Sequence, residues 1–115
     1  MKLEFSTLND GIRSIKLIGK LDIIGKGEIE TLFTAHCSGH DVRVIVDFSE
    51  VDFLASIGIQ LLFINAKSLA SRDGKMVFLN PTPRVHDIME LAGIPVIIPI
   101  CFDLADAKAI FKPAG

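Results

Sequence analysis

Val42 to Phe48 reads V-R-V-I-V-D-F, an almost unbroken run of β-branched and apolar residues. A strand with one wet face alternates apolar and polar side chains, whereas a strand covered on both faces does not. The run therefore predicts the central strand of a sheet with other layers packed against it.

The flanking segments supply the neighbours. Leu3 and Phe5 alternate with Lys2, Glu4 and Ser6, Asn9-Asp10-Gly11 marks a turn, and Ile15 and Leu17 alternate with Ser14 and Lys16, which predicts a β-hairpin. Gly19 to Gly25 reads as a loop carrying Asp22. Ile29, Leu32, Phe33 and His36 then recur at helical spacing until Gly39 supplies a stop. Beyond the central strand, Ser49 to Ser56 reads as a loop. A second helix follows over Ile57 to Leu69, with apolar Ile57, Leu61, Leu62, Ile64, Ala66 and Leu69 set among polar Gln60, Asn65, Lys67 and Ser68. Asp73-Gly74 turns the chain into a strand over Lys75 to Leu79, and Asn80 to Pro83 closes it. A third helix presents Val85, Ile88, Met89 and Ala92 and ends at Gly93. Ile94 to Pro99 reads as a short edge strand, and Asp103 as the N-cap of a last helix through Phe111. The order β-β-α-β-α-β-α-β-α predicts an α/β fold: a mixed sheet with an N-terminal hairpin and later parallel strands, covered by about four helices.

The 115 residues make one domain, 1–115, long enough to bury roughly two-thirds of the surface of the unfolded chain. Half the residues are hydrophobic and 23% are charged, which suits a packed globule better than a disordered chain. A net charge of −2 leaves no basic stripe to neutralise a run of phosphates, so direct nucleic-acid binding is not expected. The first residues alternate polar and apolar instead of forming the apolar core of an export signal. The long apolar run from Gly93 to Phe102 is broken by Pro95 and Pro99 and is far shorter than the roughly twenty residues of a membrane span. A cytoplasmic protein without membrane insertion is expected. Cys37 and Cys101 read as structural thiols, and the eight Phe, with no Trp or Tyr, as core filling.

In sheets of this kind, sites form where strand C-termini meet helix N-termini, which directs attention to Ser49–Ser56. The run Val44-Ile45-Val46-Asp47-Phe48-Ser49-Glu50-Val51-Asp52-Phe53-Leu54-Ala55-Ser56-Ile57-Gly58-Ile59 resembles the signature of the STAS family, whose anti-sigma factor antagonists read V-D-hydrophobic-S-x-V, a hydrophobic pair, then D-S-S/T-G-L. Gly19-Lys20-Leu21-Asp22 resembles that family's G-x-L-D element. The resemblance covers essentially the whole chain and implies a STAS-like fold. It also implies a non-enzymatic phosphoprotein that regulates transcription by partner switching. The unphosphorylated form would bind an anti-sigma factor serine kinase and free a sigma factor, phosphorylation at Ser56 would release it, and a serine phosphatase would reset it. Two positions differ from the pattern: Ala55 stands where many antagonists have Asp, and Ile57 where they often have a second hydroxyl. These favour the alternative function, a STAS adaptor subunit without phosphorylation in a signalling scaffold or lipid-transport assembly.

On this reading the partner-binding rim comprises Asp22, Ser56, Ile59 and Gln60, with no catalytic residue, metal or cofactor, and with homodimerisation left open. Plainer readings stand beside it. Ser56 serves equally as a simple helix N-cap, Asp22 as a turn or cap residue, and Ile59 as core. Asp47 and Asp52 could suggest a metal site or a phospho-acceptor, but the opening hairpin does not suit a receiver fold. His36, Cys37 and His40 have zinc-binding chemistry but lack an evident fourth ligand. Leu54-Ala55-Ser56-Ile57-Gly58 echoes a hydrolase nucleophile elbow without its first glycine, and only His86 follows it.

Overall fold

A computed structural model describes residues 1–112. Five strands lie in the order β1-β2-β3-β4-β5, with β1 (Lys2–Thr7) antiparallel to β2 (Arg13–Leu21). The remaining strands, β3 (Arg43–Leu54), β4 (Lys75–Leu79) and β5 (Ile100–Cys101), pair in parallel. Helices α1 (Ile23–His36), α2 (Ser56–Ala70), α3 (Pro83–Leu91) and α4 (Leu104–Ile110) connect or follow them. The fold class is thus as the sequence predicts.

The V-R-V-I-V-D-F run sits at the middle of the sheet, and its alternate side chains serve two cores. Val44, Val46 and Phe48 point with Met76 and Phe78 toward a large cluster completed by Ile29 and Phe33 of α1, Leu62 and Leu69 of α2, and Val85 and Met89 of α3. Ile45 and Val77 point the other way, into a smaller cluster with Ile12 and Ala107 of α4. Burial on both sides explains the missing polar alternation.

Four expectations change. Ser49–Ser56 is not a loop, because β3 continues to Leu54 along β2. Register shifts between Lys16 and Ile18, and between Gly19 and Lys20, give β3 extra residues in the pairing. On the main-core face its buried positions accordingly change from every second residue (Val44, Val46, Phe48) to every third (Phe48, Val51, Leu54). The Asp47 carboxylate accepts from the Ser49 backbone N–H at 2.8 Å within this irregularity.

Gly19–Gly25 is not a loop either: β2 runs to Leu21, α1 begins at Ile23, and Asp22 alone joins them. Gly25 lies inside the helix for a steric reason, since a Cβ there would stand 1.9 Å from the Lys20 carbonyl oxygen. Ile94–Pro99 forms a single 3-10 turn, Ile94–Val96, and the strand starts only at Ile100. Pro95 has no N–H to give a ladder but suits the start of a helical turn, while the Pro99 carbonyl accepts from Phe78 N–H at 2.9 Å.

The helix faces also differ in detail. Leu32, Ile64 and Ala92 are exposed, whereas Asn65 is buried at 4% exposure. The Asn65 amide donates to the Leu61 carbonyl at 3.0 Å and to Thr34 Oγ1 at 3.4 Å, so its burial leaves no side-chain polar atom unpartnered.

Candidate functional site

The end of β2 and the end of β3 deliver two helix starts to one edge of the molecule. Ala55 N–H donates to the Leu21 carbonyl at 3.0 Å, and Gly58 packs so closely on Leu21 that a Cβ there would lie 2.5 Å from Leu21 Cγ. Asp22 and Ser56, each one residue beyond this junction, therefore stand on neighbouring chain segments.

Asp22 is the N-cap of α1, and its Oδ1 accepts from Gly25 N–H at 2.8 Å. Ser56 is not an N-cap, contrary to the sequence expectation. Ala55 takes that position in extended geometry (φ −97°, ψ 165°), and its carbonyl accepts from Gly58 N–H at 3.0 Å and Ile59 N–H at 3.1 Å. Because β3 extends to Leu54, the turn into the helix falls one residue earlier than a capping hydroxyl would place it. Ser56 is instead the first residue of α2, exposed and spared from a capping role. It sits at the positive end of the helix dipole, where amide N–H groups lack intrahelical acceptors and negative charge is favoured.

Gln60 lies exposed one turn further along α2, on the same side as Ser56. Ile59, three residues beyond Ser56, is half-buried and packs against the main core, which supports the plainer reading of that residue. The apolar groups that do protrude here are Ile23 and Ile24, 73% and 72% exposed in the first turn of α1, directly after Asp22. The sequence carried the signal for them. The buried row of α1 is Gly25, Ile29, Phe33 and then Cys37, at spacings of four, and both isoleucines fall off it.

The competing chemistries find no shared geometry. His36 stacks on Phe5 with ring centroids 3.7 Å apart, and burial together with the Arg13 charge lowers its basicity. Cys37 is buried, which pushes its thiol up to about 12, and His40 meets Asp73 at 3.3 Å. Among the described residues no group of three or more such side chains is placed to hold a metal ion. Asp52 pairs with Lys20 at 3.4 Å. His86 pairs with Glu90 at 3.0 Å and stands edge-on to Phe102. No helix among the described residues is long and apolar enough to cross a membrane.

A five-stranded mixed sheet with this helix order, and an exposed serine opening the helix after the central strand, defines a class. The STAS domain model matches residues 6–107, and the chain belongs to the STAS domain family. It is 27% identical over 114 residues to BtrV of Bordetella bronchiseptica, a proposed anti-sigma factor antagonist, covering 99% of this chain and 97% of that protein. Its fold is that of an anti-sigma factor antagonist (STAS) domain protein of Planctomyces limnophilus, with a TM-score of 0.85, 17% identity, and coverage of 96% and 97% of the two chains. The anti-sigma factor antagonist SpoIIAA has the same fold in its unphosphorylated form, with a TM-score of 0.77, 18% identity, and coverage of 99% and 100%. The phosphorylated form of SpoIIAA, from Bacillus, matches with a TM-score of 0.71, 19% identity, and coverage of 96% and 100%.

Proposed function

We propose that this STAS domain is an anti-sigma factor antagonist that works by partner switching, with Ser56 as the switch. The observation that carries this reading is the placement of Ser56: exposed, in the first turn of α2, and not needed as a cap. In the unmodified state the rim of Asp22, Ser56 and Gln60, with Ile23 and Ile24 as apolar anchors, docks on an anti-sigma factor that is itself a serine kinase, and the sigma factor is released. Phosphorylation adds about −1.5 to −2 charges to that contact. The phosphate is tolerated by the isolated domain because it meets the helix N-terminus, but at an interface it must be desolvated beside Asp22. Each ~1.4 kcal/mol of that penalty lowers affinity about tenfold. A serine phosphatase restores the binding form. The likeness to SpoIIAA in both its unphosphorylated and phosphorylated forms supports a switch that leaves the fold in place.

Incubation with the cognate kinase and ATP, read by intact mass, tests the proposal. One phosphate should appear on wild type and none on Ser56→Ala, while Ser56→Ala still binds the kinase and Ser56→Asp binds poorly. Phosphate on Ser49 or Thr82, or equal kinase affinity for the two variants, would transfer the chain to the adaptor reading, which Ala55 and Ile57 favour.

A further inference from the structure

At the opposite end of α2 the fold leaves a second feature, a cleft of about 300 Å³ between the last turns of that helix and the chain following the 3-10 turn. Ala66, Ala70, Met76 and Ile97 contribute apolar lining, and Lys67 and Lys75 are the cations that line it. Beside it, Val96 and Ile97 are 89% and 51% exposed. No acidic residue lines the cleft, and neither lysine is paired with a carboxylate among the described residues. Asp41 and Asp73 line a separate cavity that shares Lys75.

We propose that this cleft docks an acidic, aliphatic segment of a protein partner, independently of the state of Ser56. Branched apolar side chains would cover the lining and the exposed Val96 and Ile97, and flanking carboxylates would neutralise Lys67 and Lys75. Charge disfavours a second copy of this chain as occupant, because a two-fold contact brings identical patches together and would set the same two lysines near each other. Independence from Ser56 follows from distance. Lys67 lies eleven residues along α2 and Ala70 fourteen, about 16 and 21 Å at a rise of about 1.5 Å per residue. Both exceed the screening length of about 8–10 Å at physiological salt. The domain would then hold one partner segment here while another associates and dissociates at the Ser56 rim.

The test is a titration of the isotope-labelled full chain with the capped peptide acetyl-ELLEELIE-amide, followed by backbone amide shifts, with acetyl-KLLKKLIK-amide as control. Saturable shifts should cluster on Lys67, Ala70, Lys75 and Ile97. Affinity should fall at least about tenfold in the double variant Lys67→Glu, Lys75→Glu and in Ile97→Asp, and change less than about twofold in Ser56→Asp. Amide dispersion in each variant reports whether it remains folded. The proposal is overturned by the absence of saturable shifts at millimolar peptide, by equal binding of the lysine peptide, or by shifts centred on Asp22 and Ser56. It is also overturned by a dimer in analytical ultracentrifugation that Ile97→Asp dissolves, which would assign the patch to a second copy.

Discussion

Gly58 shows how much of the site is set by a missing side chain. A Cβ there would meet Leu21 Cγ at 2.5 Å and the Leu21 carbonyl oxygen at 2.8 Å, so Gly58→Ala must force the start of α2 away from the end of β2. Urea unfolding should show a loss of about 1–3 kcal/mol, the usual range for overpacking. A loss below about 0.5 kcal/mol, the scale of a neutral surface change, would mean that the junction yields easily. Ser56 behaves in the opposite way: with no capping role, Ser56→Ala and Ser56→Asp should unfold within about 0.5 kcal/mol of wild type. Asp22→Ala, which deletes the acceptor for Gly25 N–H, should cost about 1 kcal/mol in the same assay. Cys37 makes a prediction about pH. Burial raises its thiol from 9.0 to about 12, so between those values the unfolded chain has lost a proton that the folded chain keeps. Stability from this group is intact below pH 9 and is lost as pH rises through that window. Denaturation from pH 8 to 11 should show a steeper alkaline decline in wild type than in Cys37→Ala, and parallel curves would refute the assignment.

At the scale of elements, the sequence was most legible where periodicity is simple. The unbroken apolar run of β3, the alternation of the hairpin and the Asp103 cap of α4 all carry their physical cause in local residue order. Legibility failed where bulges changed the period. After Phe48 the polar residues Ser49, Glu50 and Asp52 suggested a loop, because pairing with a shifted β2 leaves no two-residue alternation to detect. The helix accordingly begins one residue before the expected Ile57, and the capping position expected of Ser56 belongs to Ala55. Ser56, Asp22 and Gln60 nevertheless fall at one edge: the motif resemblance points to Ser56 and Asp22, which lie at adjacent helix starts, and Gln60 lies one turn beyond Ser56 on α2. For Ile59 both the rim and the core readings stand on sequence alone, because a single apolar residue in a first helical turn does not reveal its facing, and its partial burial favours the core. The contrast between Ile59 and Ile23 or Ile24 is testable: Ile59→Lys should lose about 1–3 kcal/mol of stability by disturbing the core. Ile23→Lys and Ile24→Lys should keep the wild-type unfolding midpoint yet weaken kinase binding about tenfold or more. Wild-type affinity in both exposed variants would remove α1 from the interface.

At the scale of the whole molecule, the residues that hold the fold are distinct from those proposed to meet a partner. The main core draws on α1, α2 and α3 over one face of the sheet, and α4 closes a smaller core on the other, while Ser56 belongs to neither. Charge added at Ser56 should therefore act on association and hardly at all on folding. The direct measurement compares the unmodified domain with the domain carrying one phosphate on Ser56, taking the dissociation constant for the proposed anti-sigma kinase and the melting temperature on the same two samples. With a phosphate on Ser56, affinity should be lower by about a hundredfold or more, equivalent to about 2.7 kcal/mol, with melting temperatures within about 2 °C. Equal affinities, or a loss of binding matched by a comparable loss of stability, would contradict the proposed switch.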